Sequence, residues 1–124
     1  MMLAFATPAL LFVFGLMIGS FLNVVIHRWP RGESVVSPGS RCGACGTPIR
    51  WYDNVPVVSY LVLGARCRAC QAPIGVRYVF VELTTGALFA LAAVLLEPGP
   101  LLAVRLLFTA ALVALFAIDL EHQL

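Results

Sequence analysis

At 124 residues, 61% hydrophobic and only 11% charged, with a mean hydropathy of +0.98, this chain is far more apolar than a soluble domain, where about a quarter of residues are charged. The apolar residues come in long uncharged runs, which excludes a small soluble core and makes membrane lipid the expected surrounding. The net charge of +2 rests on eight basic residues, all arginine, and no nucleic-acid partner is expected.

From Met1 to Ile26 there is no charged side chain, and about 20 apolar residues suffice to span hydrocarbon at about 1.5 Å per residue. A first transmembrane helix is therefore predicted over residues 3–26. A cleaved signal peptide is excluded, because the run is too long and lacks a basic start. Within it Gly15 and Gly19 stand four apart, followed by Ser20 and Asn23. That spacing predicts close approach of another helix, with hydrogen bonds across the contact; a polar floor to a site is the other reading. His27-Arg28-Trp29-Pro30-Arg31-Gly32 then supplies interfacial residues and a breaker. Beyond the loop at 27–77, a second span is predicted at 78–96 with the single charge Glu82, and Glu97-Pro98-Gly99-Pro100 makes a tight hairpin. A third span follows at 101–118, interrupted only by Arg105, which can snorkel to the interface. The expected fold is an α-helical polytopic membrane protein, with three transmembrane helices and a small zinc-ribbon-like cytosolic insertion between helices 1 and 2.

That insertion carries Cys42-Gly-Ala-Cys45 and Cys67-Arg-Ala-Cys70, separated by 21 residues, close to the spacing of a four-cysteine zinc site. The loop also repeats itself: Arg41-Cys-Gly-Ala-Cys-Gly-Thr-Pro-Ile49 recurs as Arg66-Cys-Arg-Ala-Cys-Gln-Ala-Pro-Ile74. Each half reads as one knuckle giving two thiolates to a shared tetrahedral ion, and four sulfurs close the shell, which points to a structural metal. Seven of the eight arginines (28, 31, 41, 50, 66, 68, 77) lie in this loop against Glu33 and Asp53, about +5, so the positive-inside rule puts it in the cytosol. A reducing compartment disfavours disulfides. Trp29, Trp51 and Tyr52 are expected to rest the loop on the membrane, and His27 and His122 read as solvated polar residues.

Glu82 lies about 6 Å of rise from Tyr78, and Asp119 ends a run of about 28 Å that returns to the same side. The two acids are thus expected at one depth under the loop. An acid facing a bundle interior and a solvated interfacial carboxylate are both compatible with that depth.

Gly15-Leu-Met-Ile-Gly-Ser-Phe-Leu-Asn-Val-Val-Ile-His-Arg28, the paired knuckles with Arg50-Trp-Tyr-Asp-Asn-Val-Pro-Val-Val-Ser59, and Arg77-Tyr-Val-Phe-Val-Glu82 resemble the N-terminal half of prepilin peptidases. Ile118-Asp-Leu-Glu-His-Gln123 is similar to the segment around that family's first catalytic aspartate. The resemblance covers essentially the whole chain. It implies a multi-pass aspartic peptidase of the bacterial inner membrane that removes the leader of type IV prepilins or pseudopilins after a glycine. It also implies N-methylation of the new terminus from S-adenosylmethionine in many members. Carried over, it makes Asp119 catalytic, makes Cys42, Cys45, Cys67 and Cys70 the metal ligands, and reads 119–124 as the truncated start of a cytosolic catalytic segment.

The family's second aspartate lies in a Gly-x-Gly-Asp motif, and none occurs in these residues. Glu121, two residues after Asp119, points to a different helix face. A missing C-terminal half or a complementary chain is therefore expected to supply the second carboxylate. No glycine-rich strand-turn-helix fingerprint marks a methyl-donor site, so no residue is assigned to it. Two other classes stay open: a non-catalytic zinc-loop adaptor of a pilus or secretion system, and a membrane thiol oxidoreductase using Cys-x-x-Cys as a relay.

Overall fold

The computed structural model describes residues 2–36 and 39–123, with side chains described for 6–36 and 39–121. Among the described residues four α-helices form: α1 (Met2–Arg28), α2 (Val58–Val62), α3 (Val76–Leu95) and α4 (Pro100–Gln123). Stretches within α1, α3 and α4 are long and apolar enough to cross a membrane, where an uncharged run must satisfy its own backbone and does so as helix. The helices overrun the expected spans. α3 starts two residues before Tyr78, and α4 continues through Asp119 to Gln123. One reason lies in the ends themselves: Arg77 on α3 donates to the Glu121 carboxylate on α4, so both charged ends stay helical and paired. The hairpin between them closes as expected, with Pro100 at the first position of α4, where its missing N–H costs nothing.

α1 and α3 meet backbone to backbone. A Cβ on Gly15 would lie 2.6 Å from the Gly86 Cα, and one on Gly19 would lie 2.7 Å from the Glu82 Cα. The small-residue spacing thus serves as a packing contact, and Asn23 Nδ2 donates across it to the Tyr78 carbonyl at 3.0 Å. Leu22 and Ile26 of α1 and Val81 and Phe89 of α3 form the core with Ala110 and Ala114 of α4. The outer face of α4, including Leu107, Phe108, Leu115 and Phe116, is exposed, as an apolar exterior in hydrocarbon requires. Arg105 is exposed as well. At the other end Arg28 is buried and donates to the carbonyls of Ser34 and Gly39, tying the start of the loop to the end of α1.

Candidate metal centre and acid face

The sequence repeat is a structural repeat. In the first knuckle the Cys42 N–H donates to the Thr47 carbonyl (3.0 Å) and the Gly46 N–H to the Cys42 carbonyl (2.9 Å). In the second the Cys67 N–H donates to Ala72 (2.9 Å) and the Gln71 N–H to Cys67 (3.0 Å). Each turn is closed by one isolated antiparallel bridge, Arg41 with Pro48 and Arg66 with Pro73. Both turns place the residue after the second cysteine in the left-handed region, Gly46 at φ 73° and Gln71 at φ 62°. Glycine takes that conformation freely and glutamine at a cost.

These turns aim four sulfurs at one point. Cys42 Sγ lies 3.7 Å from Cys70 Sγ and Cys45 Sγ lies 3.9 Å from Cys67 Sγ, and all four fall within 4.8 Å of one another. A disulfide would bring sulfurs to about 2 Å. A tetrahedral ion with metal–sulfur bonds of about 2.3 Å sets its sulfurs about 3.8 Å apart, and the two measured edges match. Pairing is thus crosswise, the first cysteine of each knuckle beside the second of the other. Polar neighbours are matched to thiolates too: the Ala44 N–H donates to Cys42 Sγ at 3.4 Å, and Thr47 Oγ1 lies 3.2 Å from Cys45 Sγ. The Thr47 hydroxyl and N–H hold the Cys45 thiol down to about 6, and the N–H groups of Cys70 and Ala69 lower Cys67. Cys70, although it receives an N–H from Ala72, is pushed up to about 12 by desolvation and the neighbouring sulfurs. Thiolates this close repel, and a cation among them removes the conflict.

The centre is strapped to the rest of the molecule through the 51–63 segment. A 3₁₀ turn at Trp51–Asp53 presents Asp53, which accepts two hydrogen bonds from Arg68 of the second knuckle (2.9 and 2.8 Å). The Arg68 guanidinium lies over the Tyr52 ring and keeps the Asp53 carboxyl below its usual range. Sequence reasoning missed this pair because its residues stand 15 apart with no periodic signal between them.

Glu82 and Asp119 come to the same end of the bundle but face different neighbours. Glu82, 7% exposed, accepts the Val57 N–H at 3.1 Å. Asp119 is on the exposed side of α4. Among the described residues no hydrogen bond joins the two acids. His27 is exposed, its Nδ1 2.8 Å from Arg31 Nη1. The side chain of His122 and all of Leu124 lie outside the described residues.

Three membrane-length helices, and between the first two a four-cysteine cluster with room for a metal ion, define a polytopic helical membrane protein with a zinc-ribbon-like insertion. The chain belongs to the bacterial peptidase A24 N-terminal domain family, which matches residues 13–96. It is 50% identical to the prepilin leader peptidase/N-methyltransferase of Myxococcus xanthus over 112 residues, covering 90% of this chain and 33% of the relative. The Klebsiella pneumoniae protein of the same name is 44% identical over 97% of this chain and 55% of its own length. A type 4 prepilin-like proteins leader peptide-processing enzyme of Escherichia coli is 45% identical over 95% of this chain and 51% of its own. The chain thus spans a third to about half the length of these relatives, as their N-terminal part. The adaptor and oxidoreductase readings draw no support from these names. No solved structure matches the chain.

Proposed function

We propose that this chain is the N-terminal part of a membrane aspartic peptidase that removes the leader of type IV prepilins or pseudopilins and can methylate the new N-terminus. The observation that carries the reading is the 44–50% identity to prepilin leader peptidases over at least nine-tenths of the chain. In this reading Asp119 is one of two catalytic carboxylates. One deprotonates the attacking water while the other, protonated because like charges so close cannot both ionise, gives its proton to the tetrahedral intermediate. The second carboxylate comes from outside these 124 residues, from the C-terminal part of a longer protein or a complementary chain. The exposure of Asp119 suits a residue that meets both a partner acid and a peptide substrate.

Cys42, Cys45, Cys67 and Cys70 hold a zinc ion in this reading. When bound, zinc cross-links the two knuckles and leaves no position for water. The arginine-rich loop faces the cytosol and the helices cross the bacterial inner membrane, where a cytosolic leader meets a site at the membrane surface. S-adenosylmethionine is the methyl donor of such enzymes. Among the described residues no glycine-rich turn between strand and helix exists to cradle it.

The test is incubation of the protein, extended by its C-terminal part, with a prepilin and a pseudopilin in detergent. Mass spectrometry of the products is expected to show release of the leader after its terminal glycine. Intact substrates with a correctly folded, metal-loaded protein contradict the peptidase reading.

A further inference from the structure

The 51–63 segment belongs by sequence to the water-facing loop, yet its contacts seat it elsewhere. The Val57 N–H, at the start of α2, donates to Glu82 Oε1, and Glu82 is six residues into α3, about 9 Å of rise from its first residue. Gly19 of α1 packs against the Glu82 backbone and sits nine residues, about 14 Å, before the end of its helix. Both helices therefore put the tether at one level, about 6 Å of rise inward of Tyr78 in the ring of Trp29, Arg31, Arg77 and Tyr78 that marks the interface. An open cavity of about 440 Å³ between α1, from Met17 to Arg28, and loop residues Val36, Ser40 and Asn54 places those loop residues beside the flank of α1.

The backbone of the segment is built for that level. The Asp53 and Asn54 N–H groups donate to the carbonyls of Arg50 and Trp51, and Val55 N–H to Ser59 Oγ at 2.8 Å. Pro56 has no N–H. Val57 N–H goes to Glu82, Val58 to the Pro56 carbonyl, and Ser59 to the Val55 carbonyl. The Ser59 hydroxyl in turn donates to the Tyr52 carbonyl at 2.7 Å. Every N–H from 53 to 59 is satisfied internally, although the chain there is irregular. For the donors, that is the condition non-helical backbone must meet at membrane depth, where water is not at hand to accept them. It is met even at the cost of a strained residue, since β-branched Val57 sits at φ 63°, ψ −49°. The side chains complete the pattern. Ser59 turns inward, while Val58, Leu61 (70% exposed) and Val62 (74% exposed) turn out on one face at helical spacing, beside Trp51 (82% exposed).

We propose that residues 51–63 form a membrane-seated hairpin whose Val58–Leu61–Val62 face is in contact with phospholipid acyl chains of the leaflet that holds Trp29 and Tyr78. The partner is lipid because the face is apolar and exposed and the Glu82 tether holds it near the level of the exposed apolar residues Phe21 of α1 and Phe80 and Leu83 of α3. Glu82 is then a positioning residue that fastens the metal-bearing loop to the bilayer rather than a member of a catalytic pair. The inference rests on the membrane spans and not on the peptidase reading, so the outcome of a cleavage assay does not bear on it.

The test is photolabelling of the full-length protein in phosphatidylcholine proteoliposomes, with photoleucine in place of Leu61 and, separately, of Leu107 on the exposed face of α4. Photoleucine keeps the shape of leucine, and its carbene inserts into whatever adjoins it. Phospholipid adducts at position 61 in a yield comparable with position 107 are expected. Predominantly water adducts overturn the proposal by placing the face in the aqueous phase. Predominantly intramolecular or intersubunit cross-links overturn it by showing that protein covers the face.

Discussion

The cysteine cluster and the Asp119 face of α4 lie at the same end of the molecule and differ in how much of each the chain supplies. All four sulfurs come from one loop, meet at tetrahedral distances and are braced by repeated backbone hydrogen bonds. Asp119 stands exposed on a helix whose inner face packs Leu106, Ala110, Val113 and Ala114 into the core. The first arrangement is closed and suits a structural ion; the second is open and suits a group that meets partners. The comparison separates the element that holds the loop together from the element expected to break bonds, and each side can be attacked independently.

The largest expected effect is on the closed side. Cys42→Ser removes one of four ligands from a centre whose metal binding is worth about 10 kcal/mol or more in comparable zinc peptides. Metal analysis is expected to fall from about one zinc per chain to near none, and full retention would argue against the cluster. Acid acts in the same direction. Because the Cys45 thiol is lowered from 9.0 to about 6, its stabilising thiolate is present above the ordinary thiol range and lost as pH falls through about 6. Zinc content measured after equilibration at stepped pH is expected to fall as the pH is lowered, because protons compete with the ion for the thiolates.

Next comes the contact that places the loop. Gly19→Ala drives a methyl group to 2.7 Å from the Glu82 Cα and is expected to cost about 1–3 kcal/mol, read as a lower unfolding temperature in detergent with metal content unchanged. The smallest effects sharpen the likeness of the two knuckles. Gly46→Ala puts a side chain in the left-handed region and is expected to destabilise by about 1 kcal/mol, whereas Gln71→Gly relieves the same strain and stabilises by a similar amount. Chelator-challenge kinetics of zinc release would show the opposite signs.

Much of this was legible beforehand. The three spans follow from uncharged runs, and the cluster from two nine-residue stretches that repeat with their cysteines in register. The Gly15 and Gly19 spacing announced a close helix contact, which the structure places against Gly86 and Glu82. Pairings between distant residues without a shared period were not legible: Asp53 with Arg68, Val57 with Glu82, and Arg77 with Glu121. The last pair explains why α4 runs through Asp119, past the expected end of the third span at 118, and the middle one draws part of the loop down beside the membrane helices. That Glu82 and Asp119 come to the same end of the bundle was readable from helix rise, but which faces they occupy depends on how α4 docks.

The most direct test of the central claim is the rate of leader cleavage by the purified protein, complete with its C-terminal part, comparing Asp119 with Asp119→Asn at equal zinc content. Loss of cleavage to background, with zinc retained and the helices folded, is the expected result. Undiminished cleavage by Asp119→Asn would contradict the assignment of bond-breaking to this face of the molecule.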